Sequence, residues 1–268
     1  MLHKEHIHAL AHEVGFSLCG VAKCSPLELS RERFEGWIAD GKGDGLDYLH
    51  RNIDKRFDPS LLVEGAKTVV ICALNYRNAI TNGYADDARC KIASYACTTD
   101  YHYTIKAMLQ QMLVRLREAD PALAGRAFVD SAPIAEKQWA VEAGLGWIGR
   151  QSLLITREFG STVLLGALVL CDEVDSYDAP YEGGGCGECR RCIDACPNRA
   201  IGEQRMIDSR RCISRLTIER EAIAPMFDPR EMTAEDWRAM SAEEFSARFA
   251  RTPMSRSGLD RILAAIRE

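Results

Sequence analysis

Apolar positions recur along the chain with two periods, and the period in force assigns each stretch to helix or strand. Leu2, Ile7, Leu10, Ala11 and Val14 share one side of a helix predicted over 2–14. Residues 16–22 follow as a short strand containing Cys19. Ser25-Pro26 then supply an N-cap and a first-turn proline for a helix that Gly41 closes. Residues 68–74 are uniformly apolar and rich in β-branched side chains, the pattern of a central strand, with Cys72 as a small core hydrophobe. A second short strand is expected over 92–96. After Asp100-Tyr-His-Tyr, Ile105, Met108, Leu109, Met112, Leu113 and Leu116 repeat at helical spacing and make the clearest helix in the chain. Residues 127–129 form a strand ending in Asp130, and Ser131-Ala-Pro133 start a helix that Gly144 stops. Strands are expected at 152–155 and 162–170, a helix from Ile207, and two more helices at Thr233 and at the capping box Ser241-Ala-Glu-Glu244.

Composition narrows the class. With 268 residues, 47% hydrophobic and 27% charged, both signs interspersed, the chain has the make-up of a soluble globular protein. The longest apolar run, 163–171, is too short for a bilayer, and the first residues carry histidines and charges where a signal peptide would be apolar. A cytoplasmic protein with no membrane partner is therefore expected, and its eleven cysteines read as reduced thiols and metal ligands, not disulfides. The formal charge of -5 argues against a surface that coats nucleic acid, while a local basic patch is compatible with it.

Candidate chemistry concentrates in 183–197. Cys186, Cys189, Cys192 and Cys196 follow the spacing Cys-x2-Cys-x2-Cys-x3-Cys and are closed by Pro197, the run that bacterial ferredoxins use to hold 4Fe-4S clusters. The competing reading, a zinc knuckle, pairs two cysteines with a distant second pair and matches the compressed spacing less well. Elsewhere the signals are two-sided. Asp130, at a strand end before a helix, reads equally as an N-cap and as an acid facing a cleft. Arg56 reads as a partner of a cofactor phosphate or of Asp54 or Asp58. Tyr101 and His102 stand at a helix mouth, where polar groups often meet a ligand. Gly144-Leu-Gly-Trp-Ile-Gly149 lacks the spacing of a dinucleotide fingerprint and suggests backbone brought close to a bulky cofactor. His8 and His12 lie one turn apart with no third ligand at useful spacing, so a metal site there is not expected.

Several blocks in order resemble the epoxyqueuosine reductase family: Asp100-Tyr-His102, Phe128-Val-Asp-Ser-Ala-Pro133, Ala143-Gly-Leu-Gly-Trp-Ile-Gly149, Leu153-Leu-Ile155, the cysteine run, and Arg211-Cys-Ile-Ser214 followed by Leu216-Thr-Ile-Glu219. The resemblance covers roughly 10–220. It implies an α/β (α+β) fold: a mixed nitroreductase-like sheet flanked by helices that binds cobalamin, beside a small ferredoxin-like cluster domain. The implied activity is reduction of the epoxide on the modified wobble base of tRNA to an alkene, giving queuosine. Asp130 matches the family's general acid. Arg56, Tyr101, His102, Asp130, Ser131, Gly149, Ser152 and Ser214 are the implied cofactor contacts, and Cys186, Cys189, Cys192, Cys196 and Cys212 the implied cluster ligands. The implied partners are queuosine-modified tRNA, met by arginines between Arg205 and Arg220, and an external electron donor such as ferredoxin or flavodoxin. Domain limits are expected at 1–172 for the cobalamin-binding part, 173–222 for the iron–sulfur part and 223–268 for a helical tail.

Two departures from the family pattern matter. Arg150-Gln151 stand where members have Lys-Asn, and no cysteine follows Cys212, although a second cysteine run should. Two cubanes take about eight thiolates, and the module offers the five from Cys186 to Cys212. One 4Fe-4S cluster is expected. The alternatives are a corrinoid or electron-transfer protein serving another substrate, and a paralogue that has lost catalysis.

Overall fold

The structure is a computed structural model and describes residues 2–77, 93–183, 185–215, 233–249, 259–260 and 263. It divides into two compact units, 1–75 with 105–212 and 76–104 with 213–268.

The first unit is built on a four-stranded sheet. Helix α1 (Lys4–Glu13) leads into β1 (Leu18–Lys23), α2 (Glu28–Ala39), the short α3 (Ile53–Phe57) and β2 (Thr68–Asn75). Helix α4 (Tyr101–Ala119) precedes β3 (Gly125–Phe128) and α5 (Glu136–Glu142). Strands β4 (Trp147–Ile148) and β5 (Leu154–Ile155) form a separate hairpin before β6 (Val163–Leu170). The sheet order is β1-β2-β6-β3 with every neighbour antiparallel, and a lone parallel bridge joins Leu2 to Val174. The α/β (α+β) class expected from the sequence is the class observed.

Residues two apart in the central strands serve opposite faces. On one face Val69, Ile71, Ala167 and Val169 pack with Phe128, Trp139, Ala140 and Leu154. On the other, the Cys72 sulfur lies 3.8 Å from the Met112 sulfur of α4, so Cys72 is the small core hydrophobe its surroundings predict. A Cβ at Gly166 would lie 2.5 Å from Ile105 Cγ2, so the absence of a side chain there lets α4 approach β6. The second unit contains a tight apolar knot. Within it α7 (Ala234–Ala239) carries Trp237, which stacks on Phe249 of α8 (Ala242–Phe249) at 5.5 Å. The capping box expected at Ser241 forms, and the helix expected at Thr233 starts with a capping box of its own, closed by Asp236.

The structure corrects four expectations. Helix α2 starts at Glu28 with Leu27 as its N-cap: the Leu27 amide donates to Phe57 O, and Ser25-Pro26 lie outside the helix. In place of the expected strand, 94–97 form a single 3₁₀ turn, Ser94–Cys97, and Ile92 lies outside the described residues. Helix α5 begins at Glu136, five residues later than Ser131: Asp130 is left-handed (φ 46°), and the amides of Ser131 and Ile134 are spent on the Val129 and Ala132 carbonyls in tight turns. Ser209–Arg211 make one 3₁₀ turn, so the helix expected from Ile207 has its helical residues only from Ile213, just after Cys212; the Ser209 hydroxyl is taken up by the Lys42 and Asp44 carbonyls.

Gly20 of β1 meets the C-terminus of α5. A Cβ there would fall inside van der Waals contact of the Ala143 carbonyl oxygen, which is backbone and cannot step aside. Gly20→Ala is expected to cost about 1–3 kcal/mol, read as a lower denaturant midpoint with an unchanged slope.

Candidate functional site

Strand β3 delivers Asp130 to the edge of the core. Its last residues, Ala127 and Phe128, are buried, as is Val129 just beyond it, and the next residue is exposed. Aspartate is among the few residues besides glycine that tolerate φ near 46°. The Asp130 amide donates to Glu136 Oε1 at 2.9 Å, so the first residue of α5 closes the turn that begins at Asp130. Ser131 turns with it, its hydroxyl donating to Val129 O at 3.3 Å. From the other side, the Ala135 amide donates to Arg56 O at 2.9 Å, tying α3 to the same turn. The Arg56 guanidinium lies 5.8 Å from the centre of the Phe34 ring, and its Nε is buried with no hydrogen-bond partner.

Glu136 and Lys137 were not singled out by sequence. Burial pushes the Glu136 carboxyl up to about 8; the charge of Asp130 adds to the rise, while the Asp130 amide, Lys137 and Arg56 oppose it. Burial also moves Lys137 below the usual ammonium range. Lys137 still reaches solvent, so what surrounds it is a wall of protein with one open side. Its Nζ donates to Ser152 O at 2.8 Å. Ser152 is left-handed (φ 61°), and its hydroxyl donates to Arg205 O at 2.7 Å. The signal available beforehand was an acid–base dipeptide set between Ile134 and Trp139, both of them buried.

The glycine block has an internal explanation. A Cβ at Gly146 would overlap the Ile155 carbonyl oxygen, so the β4–β5 hairpin closes only with glycine there. Gly149 donates its amide to Leu153 O at 2.9 Å within the same hairpin. The stretch after Asp172, which reads as a linker, is instead a strap along the unit. The Lys4 amide donates to Asp175 Oδ1 at 2.9 Å, and His8 Nε2 and the Val21 amide meet Asp178 Oδ2 at 2.9 and 2.8 Å. Tyr181 stacks on Trp147 with ring centres 5.4 Å apart.

The strap feeds the cysteine loop. Cys186 opens a turn closed by the Cys189 amide, Cys192 lies on α6 (Arg191–Ala195), and Cys196 caps that helix. The Ala200 amide donates to Cys196 Sγ at 3.3 Å, and this bond with those of the neighbouring amides of 198, 199 and 201 brings the thiol below its usual range. Amides aimed at a thiolate suit an iron–sulfur ligand. Among the described residues no three His, Cys, Asp or Glu side chains converge as one metal ion requires. A cubane takes one thiolate per iron and needs its ligands spaced around a volume, so the loop fits a cluster better than a single ion. Arg150 braces the loop: its Nη2 donates to Gly187 O at 2.8 Å and its Nη1 pairs with Glu203. The segment leading to Cys212 is fixed by Trp37 Nε1, which donates to Ile207 O at 2.7 Å, and by the Ser209 anchor. Arg210 is engaged by Asp208 at 2.8 Å, and Arg220 lies outside the described residues.

Tyr101, His102 and Ser214 fall in the second unit. There Tyr101 stacks on His102 at 4.2 Å, and Asp100 Oδ1 meets His102 Nδ1 at 2.7 Å. For a corrinoid, whose rim carries amides and a phosphate, Arg56 Nε and Trp147 Nε1 are among the buried donors of the first unit that lack a partner.

Two predictions follow from this geometry. The folded Glu136 holds its proton to about 8 against 4.5 for an ordinary glutamate, so the folded state binds the extra proton between those values. Its stabilising contribution is complete below pH 4.5 and is lost as pH rises to about 8; Glu136→Gln should flatten that part of a denaturation-versus-pH curve. Arg150→Ala should speed hydrogen exchange in the loop around Gly187 about five- to tenfold, as the loss of a charged hydrogen bond implies.

The comparisons agree with this geometry. A family model described as Epoxyqueuosine reductase QueG, DUF1730 matches residues 56–131, and one described as a 4Fe-4S double cluster binding domain matches 185–238. Among solved structures, an epoxyqueuosine reductase with an epoxyqueuosine-modified tRNA stem loop has a TM-score of 0.80 at 21% identity, covering 98% of this chain and 79% of that one. The Bacillus subtilis epoxyqueuosine reductase, with its catalytic aspartate loop swung out of the active site, has a TM-score of 0.77 at 21% identity, with 98% and 79% covered. A reductive dehalogenase that carries out B12-dependent dehalogenation shares the fold at a TM-score of 0.54 and 14% identity, with 97% of this chain and 35% of that one covered. The epoxyqueuosine reductase of Leadbetterella byssophila is 34% identical across 99% of both chains, and the 309 aligned positions exceed the 268 residues here, so that relative has residues this chain lacks. That of Cyclobacterium marinum is 42% identical over 84% of this chain and 72% of its own. With identity at that level across most of both proteins, the chain belongs to the epoxyqueuosine reductase family.

Proposed function

We propose that the protein reduces the epoxide of epoxyqueuosine in tRNA to queuosine, with cobalamin and one 4Fe-4S cluster as its cofactors, and that Asp130 is the proton donor. The observation that carries this reading is the aspartate at the open end of β3, held in a turn braced by α3 and α5. Converting the epoxide to an alkene takes two electrons and two protons, breaks both carbon–oxygen bonds of the ring and releases the oxygen as water. Cobalamin, when bound, supplies the reducing electrons, which the cluster passes to it singly. The chain's own residues supply the rest. Asp130 gives its proton to the oxygen as the first carbon–oxygen bond opens, since an alkoxide leaves poorly unless protonated. Arg56, Ser131, Gly149 and Ser152 of the first unit hold the corrinoid.

Cys186, Cys189 and Cys192 hold the cluster, with Cys196 or Cys212 as the fourth thiolate. The amides around Cys196 Sγ favour it as a ligand. The functional division follows 1–172 for cobalamin, 173–222 for the cluster and 223–268 for a helical tail. No helix of the described residues is long and apolar enough to cross a membrane. A cytoplasmic enzyme charged by a ferredoxin or flavodoxin fits that reading, and arginines between Arg205 and Arg220 meet the tRNA backbone.

The test is anaerobic reconstitution with iron, sulfide and cobalamin, a chemical reductant, and nucleoside analysis of epoxyqueuosine tRNA. Queuosine should form, and Asp130→Asn should abolish it with cobalamin still bound. Asparagine also tolerates the left-handed turn, so the variant removes the proton and spares the backbone; full turnover would refute the assignment. Iron should come to about four atoms per chain. A value near eight would exclude the single cluster, and one near zero would point to a paralogue that has lost the chemistry.

A further inference from the structure

The Asp130 turn carries a backbone in the left-handed region and an acid that its exposed position does not demand. Glu136 could have pointed to water from the first turn of α5, as acids there usually do. Instead it is half-buried and spends one carboxyl oxygen on the Asp130 amide at 2.9 Å. The charged groups around it are Asp130 at the end of β3, Lys137 on its own helix and Arg56 on α3. Lys137 is committed to Ser152 O, and Arg56 lends its backbone carbonyl to Ala135. The Glu136 side chain thus holds the Asp130 amide to α5.

We propose that Glu136 is the positioning residue for Asp130: as a hydrogen-bond acceptor it latches the aspartate's amide to α5 and keeps the proton donor in its left-handed turn. This inference rests on the reading of Asp130 as the proton donor. Glu136 does not itself touch the substrate. A neutral carboxyl accepts through its carbonyl oxygen as well as a carboxamide does, and the proton that burial keeps on Glu136 spares Asp130 a second negative charge. The role requires an acceptor of this length and does not require an acid.

Two variants separate the roles. Glu136→Gln keeps length and acceptor; Glu136→Met keeps length and packing, removes the acceptor and introduces no buried polar group, so it is expected to fold. Hydrogen exchange at the Asp130 and Ser131 amides, measured on chains with no turnover under way, should be unchanged in the glutamine variant. In the methionine variant it should be about five- to tenfold faster, the loss of one hydrogen bond. Turnover at pH 7 should stay within about twofold for glutamine and fall by about tenfold or more for methionine, chiefly in kcat, with bound cobalamin and iron unchanged. Parent-like exchange and turnover in the methionine variant would overturn the proposal. So would a glutamine variant as impaired as the methionine one, because the proton would then be what matters. Failure of the underlying reading shows separately, as an active Asp130→Asn, and leaves the exchange result standing.

Discussion

The antiparallel pairing of β2 with β6 over eight residues, Thr68–Asn75 against Val163–Leu170, is the constraint on which the first unit depends. Both strands are buried on two faces through their central residues, so a slip of one position would exchange the Val69 and Ile71 set with the Val70 and Cys72 set. Because β6 also pairs with β3, Phe128 opposite Ala167, the same register fixes where the chain leaves the sheet. That exit is Asp130. The position of the proposed acid is therefore set by the most buried part of the molecule, while its side of the turn stays open to a ligand. Rigid sheet, exposed end and polar turn are the usual division of labour at such sites.

The strap and the cysteine loop extend the same logic. Asp175 and Asp178 meet α1 and β1 through amides and histidines, and Tyr181 meets the β4–β5 hairpin through Trp147. Arg150, at the end of that hairpin, reaches forward to Gly187 between Cys186 and Cys189. The cluster loop is thus fastened to the element carrying Gly149 and Ser152. Electron transfer falls steeply with distance, and a loop with few apolar contacts needs such polar fastening to keep a fixed place. Arg150 suits this duty, since a guanidinium engages Gly187 and Glu203 at once where a lysine ammonium would be a single point charge.

Legibility from sequence followed the physics of each feature. The buried strands and α4 were readable because burial imposes a period, and the cluster run because cubane ligation imposes a spacing. Element starts at Ser25 and Ser131 were misplaced because tertiary hydrogen bonds, from Leu27 to Phe57 and from Asp130 to Glu136, decided them in place of local propensity. Gly146 was legible as a close approach, but the partner proved to be the Ile155 carbonyl, which no periodicity reveals. The linker reading of the stretch from Asp172 to Gly185 missed the strap within it for a related reason: Asp and Tyr also compose a strap when their polar groups find backbone partners. Glu136 and Lys137 were missed because ordinary charged residues at a helix start announce nothing until their burial is known.

That burial has a chemical consequence. Burial pushes the Glu136 carboxyl up to about 8, so it is not a fixed negative charge at neutral pH, and it moves the Lys137 ammonium below its usual range. Arg56 is also disfavoured by burial, but a guanidinium stays cationic throughout. The surroundings of Asp130 then hold the Arg56 cation, the Lys137 side chain and a Glu136 carboxyl that keeps its proton to about 8. An anion developing on a substrate oxygen meets no competing carboxylate from Glu136. The region favours accepting negative charge and delivering a proton to it, and reduction of an epoxide requires both.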